Sequence, residues 1–269
     1  MKNLKKVLAI LLLCAMSAMF LVSCSPTNKD WEDIGPKGKI IIGITDFVPM
    51  NYKDNAGNWT GFETEFAEAV CKIIGVTPQF QVIKWSAKET ELKAKNIDCI
   101  WNGMTVTSER KDNMDYSQSY MINQQVLVTL AENEEKYKTA DDLNGASVVA
   151  ESGSTGEETA QDDAFFAGAN LTPVDSQIKA LLEVKAGTAD VAVVDYLIAA
   201  NAMGTGTDYE NLVISQYKTF EDEEYAVFFR KNSPDTVKKV NDAINQMIES
   251  GELYEIATKY GLYELIIKG

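Results

Sequence analysis

Histidine is absent from all 269 residues. That excludes Ser-His-Asp and Cys-His catalysis and the common zinc sites together. Cysteine is sparse. Of four residues, Cys14 and Cys24 lie at the N-terminus, and Cys71 and Cys99 form no metal motif. An exported chain permits a disulfide between the last two, but they are expected to be mainly unpaired, buried thiols. Basic charge is also short. Against 40 aspartates and glutamates stand 25 lysines and arginines, a net charge of −15. Such acidity argues against nucleic acid or an anionic membrane surface as partner. After residue 22 no run is long and apolar enough to span a bilayer. No cofactor and no metal is expected.

The N-terminus shows what is present instead. Lys2, Lys5 and Lys6 precede the apolar stretch "VLAILLLCAMSAMFLV", the layout of an export signal. It ends at Leu21-Val22-Ser23-Cys24, which resembles the lipobox of bacterial lipoproteins. The resemblance implies removal of residues 1–23 and lipidation of Cys24, leaving the protein anchored on the outer face of the membrane. The polar residues 24–38, with Pro26, Pro36 and two glycines, read as a tether. The rest is long enough for two lobes of ordinary size.

Strand and helix patterns then alternate. "KIIIGIT", "PQFQVI" and "IDCIW" read as buried strands, separated by helical spacing over 61–74 and 87–95. Thr107 suits the N-cap of a short helix through Asn113. After the strand "QQVLVTL" and a polar turn-rich stretch, a second series follows. Its strands are "ASVVAE", "LTPV" and "DVAVVD", and its helices cover 155–166, 177–185 and 197–203. "EEYAVFFR" reads as one more strand, and helices starting near Pro234 and Glu252 close the chain. Repeated βαβ units imply an α/β fold with largely parallel sheets. An internal echo accompanies them. "LKAKNIDCIWNG" aligns without gaps with "VKAGTADVAVVD", matching Asp98 to Asp190 and Gly103 to Asp195. Two lobes on one plan explain it, and so does the shared grammar of an αβ turn. If the lobes are alike, Gly103 and Asp195 stand at equivalent strand ends, where open α/β sheets bind ligands.

Three stretches carry candidate chemistry. "NGMTVTSER" gathers Gly103, Thr105, Thr107, Ser108 and Arg110 beyond a strand end. Arg110 is either a surface residue or a bidentate partner for a carboxylate. In "ESGSTGEE", Ser154 and Glu157 fit a capping box, while Ser154, Thr155 and free amides at a helix start equally fit an anion site. Phe47, on the loop after the first strand, and Trp85, after the second, are either core or the walls of a pocket.

These motifs occur together in family order. "GFETEFAEAVCKIIG", "WSAKETELKAKNIDCIWNGMTVTSER", "YSQSYM", "SGSTG" and "GELYEIATKYG" resemble the polar amino-acid-binding proteins of ABC importers, solute-binding protein family 3. The resemblance implies a type II periplasmic-binding-protein-like fold of two doubly wound α/β lobes joined by two crossing strands. Lobe one would hold 39–127 with 228–269 and lobe two 128–227, with crossings at 125–130 and 225–229. It further implies that Arg110 and Thr105, helped by Thr155, bind the α-carboxylate of a free amino acid. Asp195 and the Gly103 carbonyl would take its ammonium, and Phe47 and Trp85 would wall its side chain. The implied partners are an ABC permease and ATPase, with the receptor a monomer and not an enzyme. One departure stands out. In the shorter loop "TDFVPM", Met50 replaces the family's phenylalanine, which puts the side-chain pocket in question. Two rivals remain: an exported dehydratase or lyase using Glu63, Glu65 or Glu89 as acid or base, and a sensor that binds without transport.

Overall fold

The computed structural model describes residues 30–268. Cys24 and the expected signal segment lie outside them. Thirteen strands occur among the described residues: β1 Lys39–Ile44, β2 Tyr52–Lys53, β3 Trp59–Thr60, β4 Thr77–Val82, β5 Cys99–Ile100, β6 Met114–Tyr116, β7 Met121–Leu130, β8 Ser147–Glu151, β9 Asn170–Val174, β10 Val191–Asp195, β11 Leu212–Ile214, β12 Asp222–Tyr225 and β13 Phe228–Arg230. They build two main sheets, in the order β4-β1-β5-β13-β6 and β11-β7-β10-β8-β9. In each sheet the βαβ strands pair in parallel, β1 with β4 and β5, and β8 with β9 and β10. The strands that return from the other lobe pair antiparallel. The sheets are thus mixed, and less parallel than the repeated units alone imply.

Helices cover the first sheet because their apolar residues recur at helical spacing. In Phe62–Ile74 the buried side chains Phe62, Phe66, Ala67, Val70 and Cys71 form one stripe, and Gly75 ends the helix in a left-handed conformation at φ 78°. The closing helices Pro234–Ser250 and Glu252–Lys259 pack back against it, as expected for a C-terminus returning to lobe one. Cys71 and Cys99 are buried and free. In lobe two the helix expected over 155–166 stops at Asp162. Asp163 takes an extended conformation there and caps a separate turn, accepting from the Phe165 amide at 2.8 Å.

The lobe crossings differ from expectation. β7 is one long strand whose first half, Met121–Gln124, pairs with β12. Its second half, from Gln125 onward, lies inside the lobe-two sheet against β10 and β11. "EEYAVFFR" is not one strand. It breaks at residues 226–227, so β12 serves the crossing while β13 lies inside the lobe-one sheet. Both crossings therefore precede the expected segments by a few residues. The polar segment expected to be a tether is also different from Asp30 on. Ile34 is buried in the lobe-one core, Trp31 packs beside it under Lys239, and Asp30 accepts from the Thr236 amide at 2.8 Å.

The internal echo is structural. Asp98 and Asp190 each accept the backbone amide of the neighbouring parallel strand, from Ile41 at 2.9 Å and Ser147 at 2.8 Å. Lys95 and Gly187, which match in the echo, both turn the chain through positive φ, 62° and 71°. The same helix–turn–aspartate–strand device therefore delivers Gly103 in lobe one and Asp195 in lobe two.

Candidate ligand cleft between the lobes

All eight residues singled out as site candidates, Phe47, Trp85, Gly103, Thr105, Arg110, Ser154, Thr155 and Asp195, line one cleft between the lobes. Lobe one contributes the loop after β1, the turn Trp85–Ala87 and the segment after β5. Lobe two contributes the ends of β8 and β10 and the helix Thr155–Asp162.

Arg110 is buried, and it is one of only two arginines in the chain. Thr107 caps its helix by accepting the Arg110 amide at 3.2 Å, so the cap and the guanidinium belong to one short turn. The guanidinium donates to the Thr105 carbonyl at 2.9 Å. It also reaches across the cleft to the Gly153 carbonyl at 3.5 Å and to Glu158 at 3.2 Å. The hydroxyls of Thr105 and Thr155 stand 3.4 Å apart from opposite lobes. Ser154 does cap its helix, accepting from the Glu157 amide at 3.1 Å, and it lines the cleft as well. The two readings of that stretch are therefore compatible. A guanidinium, three hydroxyls and a helix N-terminus form a donor set suited to a carboxylate.

Gly103 needs to be glycine. Its φ is +57°, and a Cβ there would lie 2.6 Å from the Phe47 ring. Its amide donates to both oxygens of Glu63, at 2.8 and 3.0 Å, and Glu63 also accepts from the Tyr120 hydroxyl. Burial pushes the Glu63 carboxyl up to about 7, against the opposing pull of those donors.

Asp195 is buried among amides. Asn123 donates to it at 2.8 Å, Gln125 at 2.6 Å, and Gln177 both donates to its side chain and accepts its backbone amide at 2.7 Å. Burial still raises its carboxyl above the ordinary range, because amide dipoles replace water only in part. Glu223, on β12, shares the Asn123 and Gln125 donors and accepts from Thr105 at 2.9 Å. Its carboxyl is raised by burial and by the Asp195 charge. Sequence reasoning missed this amide layer and the cleft residues Thr45, Asp46, Asn102, Glu151, Ser176, Gln177 and Ile198. Only Glu151 had a local signal: it ends a strand immediately before the flagged "SGSTG".

Two expectations are corrected or narrowed. Glu63 sits behind Gly103, Glu65 binds Lys259 and Tyr260, and Glu89 pairs with exposed Lys93, so none of the three proposed acid–base carboxylates lines the cleft. Met50 does not line it either. It is fully buried, its carbonyl accepting the Glu63 amide at 2.9 Å at a helix start, so the altered loop does not reshape the pocket through that side chain. Among the described residues no His, Cys, Asp and Glu cluster is arranged to hold a metal.

Comparison with known proteins places this cleft in a wider group. Residues 40–263 match the model of the bacterial extracellular solute-binding proteins, family 3. The L-cystine-binding protein TcyJ of Escherichia coli K12 is 30% identical over 255 residues, covering 94% of this chain and 92% of that protein. The arginine-binding extracellular protein ArtP of Bacillus subtilis is 29% identical over 252 residues, covering 93% and 96%. A Streptococcus pneumoniae ABC uptake transporter substrate-binding protein, solved with bound histidine, superposes with a TM-score of 0.77 at 30% identity, covering 88% of this chain and 97% of that one.

Proposed function

The chain belongs to the bacterial extracellular solute-binding proteins of family 3, and we propose that it is an extracytoplasmic receptor that captures a free L-amino acid and passes it to an ABC permease. One observation carries the reading. Arg110 and Asp195 face a single cleft from opposite lobes, with hydroxyls beside the arginine and amides around the aspartate. That is the charge pattern of an α-amino acid's two ends. Among the described residues the two main sheets are joined through the antiparallel pair Met121–Gln124 with Asp222–Tyr225, which suits hinge closure on a ligand. A ligand that touches both lobes favours the closed form by its differential affinity.

In this reading Arg110, Thr105, Thr155 and Ser154 hold the α-carboxylate. Asp195 and the Gly103 carbonyl hold the ammonium. Phe47 and Trp85 flank the side chain. The relatives' named ligands, cystine, arginine and histidine, support an amino acid whose side chain is polar. They are binding proteins, which favours a receptor over a dehydratase or lyase. Delivery to a permease and its ATPase, a monomeric state and a lipid anchor on Cys24 belong to the same proposal.

The test is thermal unfolding of the full chain in the presence of each common L-amino acid and L-cystine. A cognate ligand at a hundred times its Kd adds about 2.7 kcal/mol of stability, enough to raise Tm by a few degrees. If none raises it and calorimetry shows no heat, the amino-acid reading is wrong. For the anchor, Cys24→Ala should abolish lipid labelling and release the protein from the cell surface. Unchanged membrane retention would remove the lipoprotein claim.

A further inference from the structure

Four ionisable side chains line the cleft: Asp46, Arg110, Glu151 and Asp195. An amino acid's carboxylate and ammonium engage Arg110 and Asp195, which leaves two carboxylates. Asp46 is exposed and screened by solvent. Glu151 is not, being only 6% exposed at the end of β8. β8 pairs in parallel with β10, so Glu151 and Asp195 stand at neighbouring strand ends on the same lobe. No described lysine or arginine makes an ion pair with Glu151. The protein cation whose charge acts on Glu151 is Lys88, whose ammonium donates to the Gly153 carbonyl at 2.7 Å and lies 4.8 Å over the Trp85 ring. Lys88 is thus engaged in bridging the lobes.

We infer that Glu151 is a specificity-determining contact, selecting an amino acid with a second cationic group, an ammonium or guanidinium at the far end of its side chain. The inference rests on the amino-acid reading above and narrows its substrate class. A buried carboxylate without a cation is costly, and it lowers that cost by keeping a proton. Burial, then the Asp195 charge, pushes the Glu151 carboxyl up to about 8, against the pull of Lys88 and a Gln177 hydrogen bond. Lys88 itself is lowered to about 8, first by burial and then by Arg110. With the lobes in contact and no cation beside it, Glu151 is therefore largely protonated at neutral pH. A cation arriving beside it makes the ionised form the favoured one, and the proton leaves to solvent. The aromatic faces of Phe47 and Trp85 suit the stem of such a side chain, and a guanidinium stacks well on them. A neutral side chain offers Glu151 only a hydrogen bond and draws no proton from it.

Calorimetry on the full chain at pH 7 tests this with pairs of similar shape: L-arginine with L-citrulline, L-lysine with L-norleucine, and L-cystine with S-methylthio-L-cysteine. Each is measured in two buffers of different ionisation enthalpy. The expected result is that at least one dicationic member binds roughly thirtyfold or more tighter than its partner, which is about 2 kcal/mol, and releases close to one proton more than that partner does. Glu151→Gln should abolish both the preference and the extra proton released by the dicationic member, while leaving the weaker partner's affinity within about threefold. Equal affinity within all three pairs overturns the inference but leaves the amino-acid reading standing. So does an equal loss for both members of a pair in Glu151→Gln. Failure of all six compounds to bind overturns this inference. The broader panel of common amino acids then decides whether the amino-acid reading falls with it.

Discussion

The Gly103 amide is clamped between the two oxygens of Glu63, at 2.8 and 3.0 Å, by a carboxylate that never meets the cleft. A residue whose carbonyl is proposed to touch the ligand is thereby held from behind, and the same carboxylate takes the hydroxyl of Tyr120, next to the lobe crossing. The chain's positive φ at Gly103 is fixed by that clamp on one side and by the Phe47 ring on the other.

Glu63 makes stability depend on pH in a defined direction. Burial raises its folded value from 4.5 to about 7. Below the unfolded value both states carry the proton and the contribution is fully present. As pH rises through 7 the unfolded chain has ionised while the folded state gives its proton up late, so stability falls. Over that window the loss is about 3 kcal/mol, at roughly 1.4 per unit. Urea unfolding at pH 4.5 and pH 8 should show it, and Glu63→Gln should lessen the fall by about that amount. Glu151, raised in the same sense, remains in both proteins. Equal falls in wild type and variant would refute the assignment.

Arg110→Ala and Asp195→Ala should each nearly abolish binding of the cognate amino acid while leaving the fold intact. Removing one partner of a buried, hydrogen-bonded charge pair costs about 3–5 kcal/mol, a hundredfold to a few thousandfold in affinity. Their selectivities should separate. The desamino analogue should bind wild type far more weakly than the amino acid does, but in Asp195→Ala the two should bind nearly alike. If calorimetry finds the same ratio in both proteins, Asp195 is not the ammonium partner.

Gly103→Ala should lower stability by about 1–3 kcal/mol. The new methyl would meet the Phe47 ring at 2.6 Å in a backbone conformation L-residues avoid. Because Phe47 is also a cleft wall, the ligand's affinity should fall by at least tenfold. A variant with wild-type Tm and affinity would show that the loop yields freely.

The thiols should be silent in the native protein. Burial raises Cys71 to about 12 and Cys99 well above the ordinary thiol value, so almost no thiolate exists at neutral pH. A chain carrying Cys14→Ser and Cys24→Ser should react with no thiol reagent when folded. Denatured without reductant, it should take up two equivalents. Uptake only after reduction would reveal a disulfide.

Much of this was legible in the residues because the chemistry involved is local. A cap such as Thr107 or Ser154 satisfies a backbone donor three positions on, so its signal sits within one helical turn. The eight candidate cleft residues were likewise found at strand ends and helix starts, where short-range pattern and unsatisfied donors coincide. The echo between 92–103 and 184–195 was visible because both lobes use one turn and one aspartate to stitch a strand to its parallel neighbour. The short strands β2, β3, β6 and β11 were not, because two or three residues carry no period.

The sequence by itself determined two α/β series, the strand ends where a ligand belongs, and a donor set suited to a carboxylate, since each follows from periodicity or from neighbours in the chain. Tertiary structure alone decided what surrounds them. Asn123 and Gln125 reach Asp195 only because β7 runs on from the crossing into the second sheet. The break at residues 226–227 follows from one segment serving two sheets. Glu63 lies behind Gly103, and Glu151 beside Asp195, through contacts between residues far apart in the chain. A carboxylate's burial and charge neighbours depend on such packing, and they set whether it holds a helix, a proton or a ligand.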